Sequence, residues 1–281
     1  MAPFAGDAEP VPGVPLTGAS GPALRAIERG ALGGYCPAAM PEPVEPPTAR
    51  RPDIGTAKGG TTHEEPTRAQ TQHARRVAES RATVPDLSLT TQVDMESASA
   101  LRAGLPAPVP SFEDLIVKAC ALALREAPRT NGAYRDARFE RYARVNIGVT
   151  MATTDSTVTP VIFDADAKSL AEIAADTTAL VRRAREGAVT QPELSGGTFT
   201  VSSLGEFGVT HFAAIVNQPQ AAILAVGAVE LRAVVRDGAV VARHVVDLTL
   251  SCDHRILHGA DAAAFLRRVR ELLEQPALLT R

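Results

Sequence analysis

Proline divides this chain. Twelve of its 21 prolines fall between Pro3 and Pro66, in a stretch also rich in Gly, Ala and Thr and poor in large apolar residues. Such a segment cannot bury enough surface to offset the entropy lost on ordering. Residues 1–69 therefore read as a flexible, mostly disordered linker, and the packed domain is confined to residues 70–281. One interruption is Pro22-Ala-Leu-Arg-Ala-Ile-Glu-Arg, inside residues 20–32, which has the spacing of a short helix.

Beyond Gln70 the texture is that of a folded domain. Ser111 precedes Asp114 by three, a capping-box pattern, and Leu115, Ile116, Ala119, Leu122 and Ala123 follow at helical spacing. Ser169 and Glu172 repeat the signal ahead of Leu170, Ile173, Ala174, Leu180 and Val181. A third helix is expected from about Asp261, with Phe265, Val269, Leu272 and Leu273 on one face. Strand-like runs lie between, at Val145–Met151, Val158–Phe163, Thr198–Ser202 and Ala222–Val235. Asp237-Gly238 then marks a hairpin. The returning strand alternates Val246, Leu248, Leu250 and Cys252 with Asp247, Thr249 and Ser251. The fold class read from this pattern is a two-layer α/β domain.

Composition excludes several classes. A net charge of −3, from 29 basic and 32 acidic residues, gives no reason to expect nucleic acid or an anionic membrane as partner. No apolar run approaches the roughly 20 residues of a membrane span, and Met1 to Pro15 lacks the regions of a signal peptide. Cys36, Cys120 and Cys252 are too few and too scattered for a disulfide framework or a metal site. The six histidines show no paired ligand spacing, so no metal is expected. The expected location is the cytoplasm.

Two stretches carry chemistry. Ser251-Cys-Asp-His-Arg-Ile-Leu-His-Gly-Ala260 puts His254 just past a buried strand and five residues before a glycine that opens a helix. Rigid elements on both sides suit a general base, although a hydrogen-bonded histidine at a strand end fits the spacing as well. Gly196-Gly-Thr-Phe-Thr-Val-Ser-Ser-Leu-Gly-Glu-Phe-Gly208 is a strand ending in Ser202 and Ser203, followed by a glycine-rich turn. A serine there can donate to a developing oxyanion, but Ser-Ser-x-Gly is also common turn chemistry. Cys252 stands beside His254 as a candidate nucleophile, but strand alternation points it to the apolar face with Leu250 as a buried thiol.

Together these stretches resemble the acyltransferase component of 2-oxo acid dehydrogenase complexes, a family with the chloramphenicol acetyltransferase fold and its mixed sheet. That family's Asp-His-Arg-x-x-Asp-Gly is matched by Asp253-His254-Arg255-Ile-Leu-His258-Gly259, and its Thr-Phe-Thr-x-Ser-(Asn/Ser)-x-Gly by Thr198 to Gly205. Further matches are Arg75-Arg76-Val-Ala-Glu-Ser-Arg, Asn146-Ile-Gly-Val, Asp164-Ala-Asp-Ala-Lys-Ser-Leu170 and Asn217-Gln-Pro-Gln-Ala-Ala-Ile-Leu-Ala-Val-Gly227. The resemblance implies acyl transfer between dihydrolipoamide and coenzyme A. His254 would be the base and Ser202 the oxyanion donor, with Ser203 as its neighbour and Asp253, Arg255, His258 and Gly259 as the supporting turn. It further implies a homotrimer, or a larger cage of trimers, with His254 and Ser202 contributed by different chains. The partners it implies are a lipoyl-bearing protein and the dehydrogenase components.

The chain departs from the family at four points. No Asp-Lys-Ala lipoyl motif is present, and Lys58 sits in Ala-Lys-Gly-Gly, so the lipoyl group is expected in trans. The Pro22–Leu32 segment only faintly resembles a subunit-binding helix. Asp155-Ser156-Thr157 replaces a loop that often reads Asp-Gly-Leu, and His258 replaces an aspartate. An aspartate at 258 could hold Arg76 bidentately, so a histidine there implies a looser catalytic turn, or else a rebuilt neighbourhood that holds it equally well. Two other activities fit the same residues: a non-catalytic trimeric scaffold, and a stand-alone acyl-coenzyme A-dependent transferase with another acceptor.

Overall fold

The computed structural model describes residues 63–153 and 157–280. The bulk of the expected linker, the helix expected within 20–32, Cys36, Lys58 and the Asp155-Ser156 pair lie outside the described residues. The unit Glu64–Arg281 opens on helix α1 (Arg68–Thr83), which begins two residues before the expected domain boundary. Its N-cap Thr67 and Gln70 form a reciprocal capping box. Only Ser80 of this helix is buried, and its hydroxyl donates to the Val216 carbonyl at 2.6 Å.

The expected helices form where their caps announce them. Ser111 and Asp114 cap α3 (Phe112–Glu126), and Ser169 and Glu172 cap α4 (Leu170–Arg185), each as a capping box. Between α1 and α3 lie strand β1 (Asp86–Asp94) and the short helix α2 (Glu96–Ala103). The last helix, α5 (Gly259–Glu274), starts two residues earlier than expected, with His258 as a backbone N-cap that makes no side-chain capping bond.

One eight-stranded mixed sheet carries these helices. After the separate ribbon β2 (Gly132–Arg135) and β3 (Arg138–Arg141) come β4 (Ile147–Ala152), β5 (Thr157–Val158), β6 (Val161–Ile162), β7 (Phe199–Ser203), β8 (Ala222–Val226), β9 (Glu230–Arg236) and β10 (Ala239–Asp253). The order is β1-β10-β8-β7-β4-β5, with β6 beside β4 and β9 beside β10. Strands β4, β7 and β8 run parallel, and the other pairings are antiparallel. Two expected strands are divided. The run 158–163 breaks at Pro160, which has no N–H for a ladder, and 222–235 breaks at Gly227, where an added Cβ would lie 1.8 Å from the Thr210 carbonyl oxygen. Asp237 and Gly238 both take positive φ, the conformation that a two-residue hairpin turn requires.

The alternation along β10 sorts the two faces of the sheet. Val246, Leu248, Leu250 and Cys252 join Phe199, Val201 and Leu224 in the core against α3 and α5, and the Phe199 and Phe265 rings meet at 5.5 Å. The opposite face carries Ser88 on Ser251 at 3.1 Å and Thr90 on Thr249 at 2.9 Å, both cross-strand hydroxyl pairs. Ile223 on this face packs with Val84 and Val216 in a small separate cluster. The polar face is where both chemistry-bearing strand ends emerge.

Candidate active site

His254 stands on a turn pinned from three directions. Asp253 N–H donates to the Ala221 carbonyl at 2.8 Å, His254 N–H to Pro85 at 2.9 Å, and the amides of Ile256 and Leu257 both return to the Asp253 carbonyl. Asp253 is 3% exposed. Its carboxylate accepts Arg255 Nε at 2.9 Å and Nη2 at 2.6 Å, and the Arg255 amide at 3.0 Å. The carboxylate raises the arginine's pKa further, and the guanidinium lies 4.7 Å from the Tyr134 ring centre. Asp253 and Arg255 thus brace each other. They leave the His254 ring exposed, with no hydrogen bond to the described residues. The His258 ring, also exposed, lies 5.8 Å from it between centroids.

With a histidine at 258, Arg76 has no carboxylate there to hold. It is exposed and forms no ion pair among the described residues, while the N-terminal segment reaches the turn through the Pro85 carbonyl. Asp253 and Arg255 brace the turn through their own ion pair, which does not involve residue 258.

At the other strand end, Ser202 and Ser203 differ in surroundings. Ser203 Oγ accepts the Gly205 amide at 3.4 Å, a weak turn contact. Ser202 lies on the polar face with Thr200, between Thr150 of β4 and Ala225 of β8. Its hydroxyl is half-buried and has no partner among the described residues. Thr200 is by contrast fully engaged, donating to Gln220 at 2.6 Å. Gly205 packs against the Gly227 and Ala228 backbone, where a Cβ would meet the Gly227 carbonyl oxygen at 2.8 Å, so the turn after Ser203 needs glycine.

Within one chain these two groups do not meet. Asp253 is level with Ala221, just before β8, whereas Ser202 is level with Ala225 near its far end. Four residues of strand are about 13 Å, and two strand spacings of about 4.8 Å each separate β10 from β7. His254 and Ser202 sit on one face at opposite ends of the sheet.

Cys252 is fully buried in the core, with its thiol pushed up to about 11, first by burial and then by the charges of Asp253 and Asp86. It is no nucleophile at neutral pH. His63, His73 and His211 are exposed, and His244 pairs with Glu96 at 3.0 Å. Among the described residues no group of three or more His, Cys, Asp or Glu could hold a metal, and no helix is long and apolar enough to cross a membrane. One titrating group escaped the sequence reading. Glu113, in the first turn of α3, is raised to about 7 by burial foremost, then by Asp114 and by Glu206 in the turn after Ser203.

Residues 58–281 match the family described as 2-oxoacid dehydrogenases acyltransferase (catalytic domain). The acetyltransferase component of the Zymomonas mobilis pyruvate dehydrogenase complex is 36% identical over 239 residues, 80% of this chain and 54% of that protein. Its mitochondrial counterpart from Caenorhabditis elegans is 39% identical over 216 residues, 72% of this chain and 42% of that protein. The chain thus spans about half the length of the relatives it matches. Among solved structures, the dihydrolipoamide acetyltransferase of Azotobacter vinelandii superposes with a TM-score of 0.76 at 32% identity, covering 85% of this chain and 99% of that one. The cubic core of a pyruvate dehydrogenase complex gives the same values. In the Azotobacter protein a serine, a histidine and an asparagine were investigated for their part in the catalytic mechanism. Its serine precedes the histidine by 52 residues and its asparagine follows it by four.

Proposed function

Since the chain belongs to the 2-oxoacid dehydrogenase acyltransferase family, we propose that it moves an acyl group between dihydrolipoamide and coenzyme A. His254 is the general base and Ser202 the oxyanion donor. The observation that carries this reading is the state of the two side chains: each stands unengaged at a rigid strand end on the polar face of the sheet. Ser202 and His254 also have the 52-residue separation of the Azotobacter serine and histidine, and His258 follows His254 by four as that protein's asparagine follows its histidine.

In the reaction, the His254 imidazole takes the proton of the attacking thiol. The thiolate adds to the thioester carbonyl, and Ser202 donates its O–H to the oxygen that gains charge. Collapse then expels the other thiolate, which recovers the proton from the His254 imidazolium. General base catalysis of this kind contributes about 10²–10⁴-fold, and one oxyanion donor about 10²–10³-fold. Asp253, Arg255 and Gly259 shape the turn and touch no reacting atom.

Coenzyme A is a substrate here, and the lipoyl arm is supplied in trans. Of the described lysines, Lys118 is buried and donates to the Asp166 and Lys168 carbonyls, and Lys168 pairs with Asp176. The assembly is a homotrimer, able to build a larger cage, that serves a lipoyl-bearing protein and the dehydrogenase components in the cytoplasm. The separation of His254 from Ser202 within one chain supports this, since neighbouring copies can bring the two ends together.

The test is acyl exchange between acetyl- or branched-chain acyl-coenzyme A and free dihydrolipoamide. Thioester formation on dihydrolipoamide is the expected result. No exchange, with trimers intact, would leave a scaffold, and hydrolysis or transfer only to another acceptor would leave a stand-alone transferase.

A further inference from the structure

We infer that His254 and His258 together form an open two-imidazole site for a divalent transition ion such as zinc, and that its occupation blocks His254 as a base. His254 and His258 lie four residues apart, the His-x-x-x-His interval that brings two imidazoles to one ion when they share a face. In the fold they do share one. The rings are 5.8 Å apart between centroids and inclined by 57°, both are exposed, and neither makes a hydrogen bond among the described residues. A neutral imidazole offers one lone pair, so both rings have one to give.

The dimensions suit a small ion. A zinc–nitrogen bond of about 2.0–2.1 Å puts each ring centre about 3.2 Å from the metal, and a tetrahedral angle then separates the centres by about 5.2 Å. The rings need to close by about 0.6 Å, within reach of side-chain rotation at two exposed positions. The backbone behind them need not move, because the Asp253–Arg255 pair and the Pro85 carbonyl already hold the turn. The Asp253 carboxylate is fully used by Arg255, so it is no third ligand, and none of the larger clusters that hold structural metals exists here among the described residues. Two protein ligands leave two positions open, the arrangement of a site that binds reversibly rather than one that holds a permanent ion. Imidazole preference selects zinc, copper or nickel over magnesium or calcium.

The ion binds through the same lone pair that would accept the thiol proton, so binding and base catalysis exclude each other. That consequence rests on the reading of His254 as the base, whereas the site itself does not. Thiol substrates chelate zinc, so binding is measured without them. Isothermal titration of the chelator-stripped, assembled protein with zinc chloride should show one ion per chain. His258→Asn and His254→Asn should each weaken binding at least tenfold, and His211→Asn should leave it unchanged. Equal unfolding midpoints for all four proteins would show that the fold is intact. Wild-type affinity in His258→Asn, or an equal loss in His211→Asn, would overturn the site. Zinc binding in a protein with no acyl exchange would instead leave the site standing and remove the proposed activity.

Discussion

Replacing Arg255 by alanine removes the guanidinium that, among the described residues, pairs with the buried Asp253 carboxylate. The Asp253 side chain is 5% exposed and that of Arg255 31%. Removing one member of a buried ion pair costs about 3–5 kcal/mol, because the remaining charge is left without compensation. The partial exposure of Arg255 lets water replace some of its contacts, and the Arg255 amide still donates at 3.0 Å. About 2–3 kcal/mol is therefore expected, including roughly 0.5–1 kcal/mol from the lost stacking on Tyr134. For a domain of this size that corresponds to a fall in Tm of about 4–12 °C by scanning calorimetry. Arg255→Lys keeps the charge but loses the two-pronged contact, so it should fall between the two. The double change Asp253→Asn with Arg255→Ala should lose less than Arg255→Ala alone, because no orphaned charge remains. A Tm for Arg255→Ala within about 1 °C of wild type would show that the carboxylate does not depend on this partner.

His254→Ala should lower kcat by about 10²–10⁴-fold and Ser202→Ala by about 10²–10³-fold, with Ser203→Ala close to wild type, all read in the acyl-exchange assay. Damage from Ser203→Ala with a silent Ser202→Ala would reverse their roles. His258→Asp should leave Tm within about 1 °C, since the His258 side chain makes no hydrogen bond among the described residues; a shift of several degrees would return the turn's rigidity to residue 258. Glu113 is held protonated to about pH 7 in the fold but only to about 4.5 when unfolded, so stability falls as pH rises between those values and is level above. Glu113→Gln should therefore stabilise the protein at pH 8 by about 1–2 kcal/mol, allowing for partial exposure, with no gain below about pH 4 in denaturation midpoints.

The parts of this fold legible in the sequence are those governed by neighbours along the chain. Ser111 with Asp114 and Ser169 with Glu172 announce helices because a capping box needs only four consecutive residues. Asp237-Gly238 announces its hairpin for the same reason. Strand β1 carries no such local signal: its side chains alternate between exposed and half-buried, and its partner β10 lies more than 150 residues away. Helix α1 buries almost nothing, so no apolar stripe marks it in the sequence. At the candidate site the motif residues were readable, but not what each one touches. Arg255 reads as a supporting basic residue and is the counter-ion of Asp253, while Glu113 reads as an ordinary helix-opening acid, and its burial and the charge of Glu206, 93 residues later, depend on the folded chain.

The placement of His254 and Ser202 leads to one quantitative test. In a closed ring of three copies, every site would pair the histidine of one chain with the serine of the next. Chains carrying His254→Ala and chains carrying Ser202→Ala are each expected to be nearly inactive alone. When equal amounts assemble at random, a site is intact if its histidine comes from a Ser202→Ala chain and its serine from a His254→Ala chain. Each condition holds half the time, so about a quarter of the sites, and about a quarter of wild-type activity, should return. Co-expression with two affinity tags and selection of doubly tagged trimers raises that fraction to about a third, because every selected trimer contains both kinds of chain and so has one intact site in three. A site built within one chain predicts no recovery at any ratio, since every chain then lacks one of its two groups. The register of β7, β8 and β10 argues against that outcome, because the two residues would have to close a gap of about 13 Å along strands that are hydrogen-bonded to both neighbours.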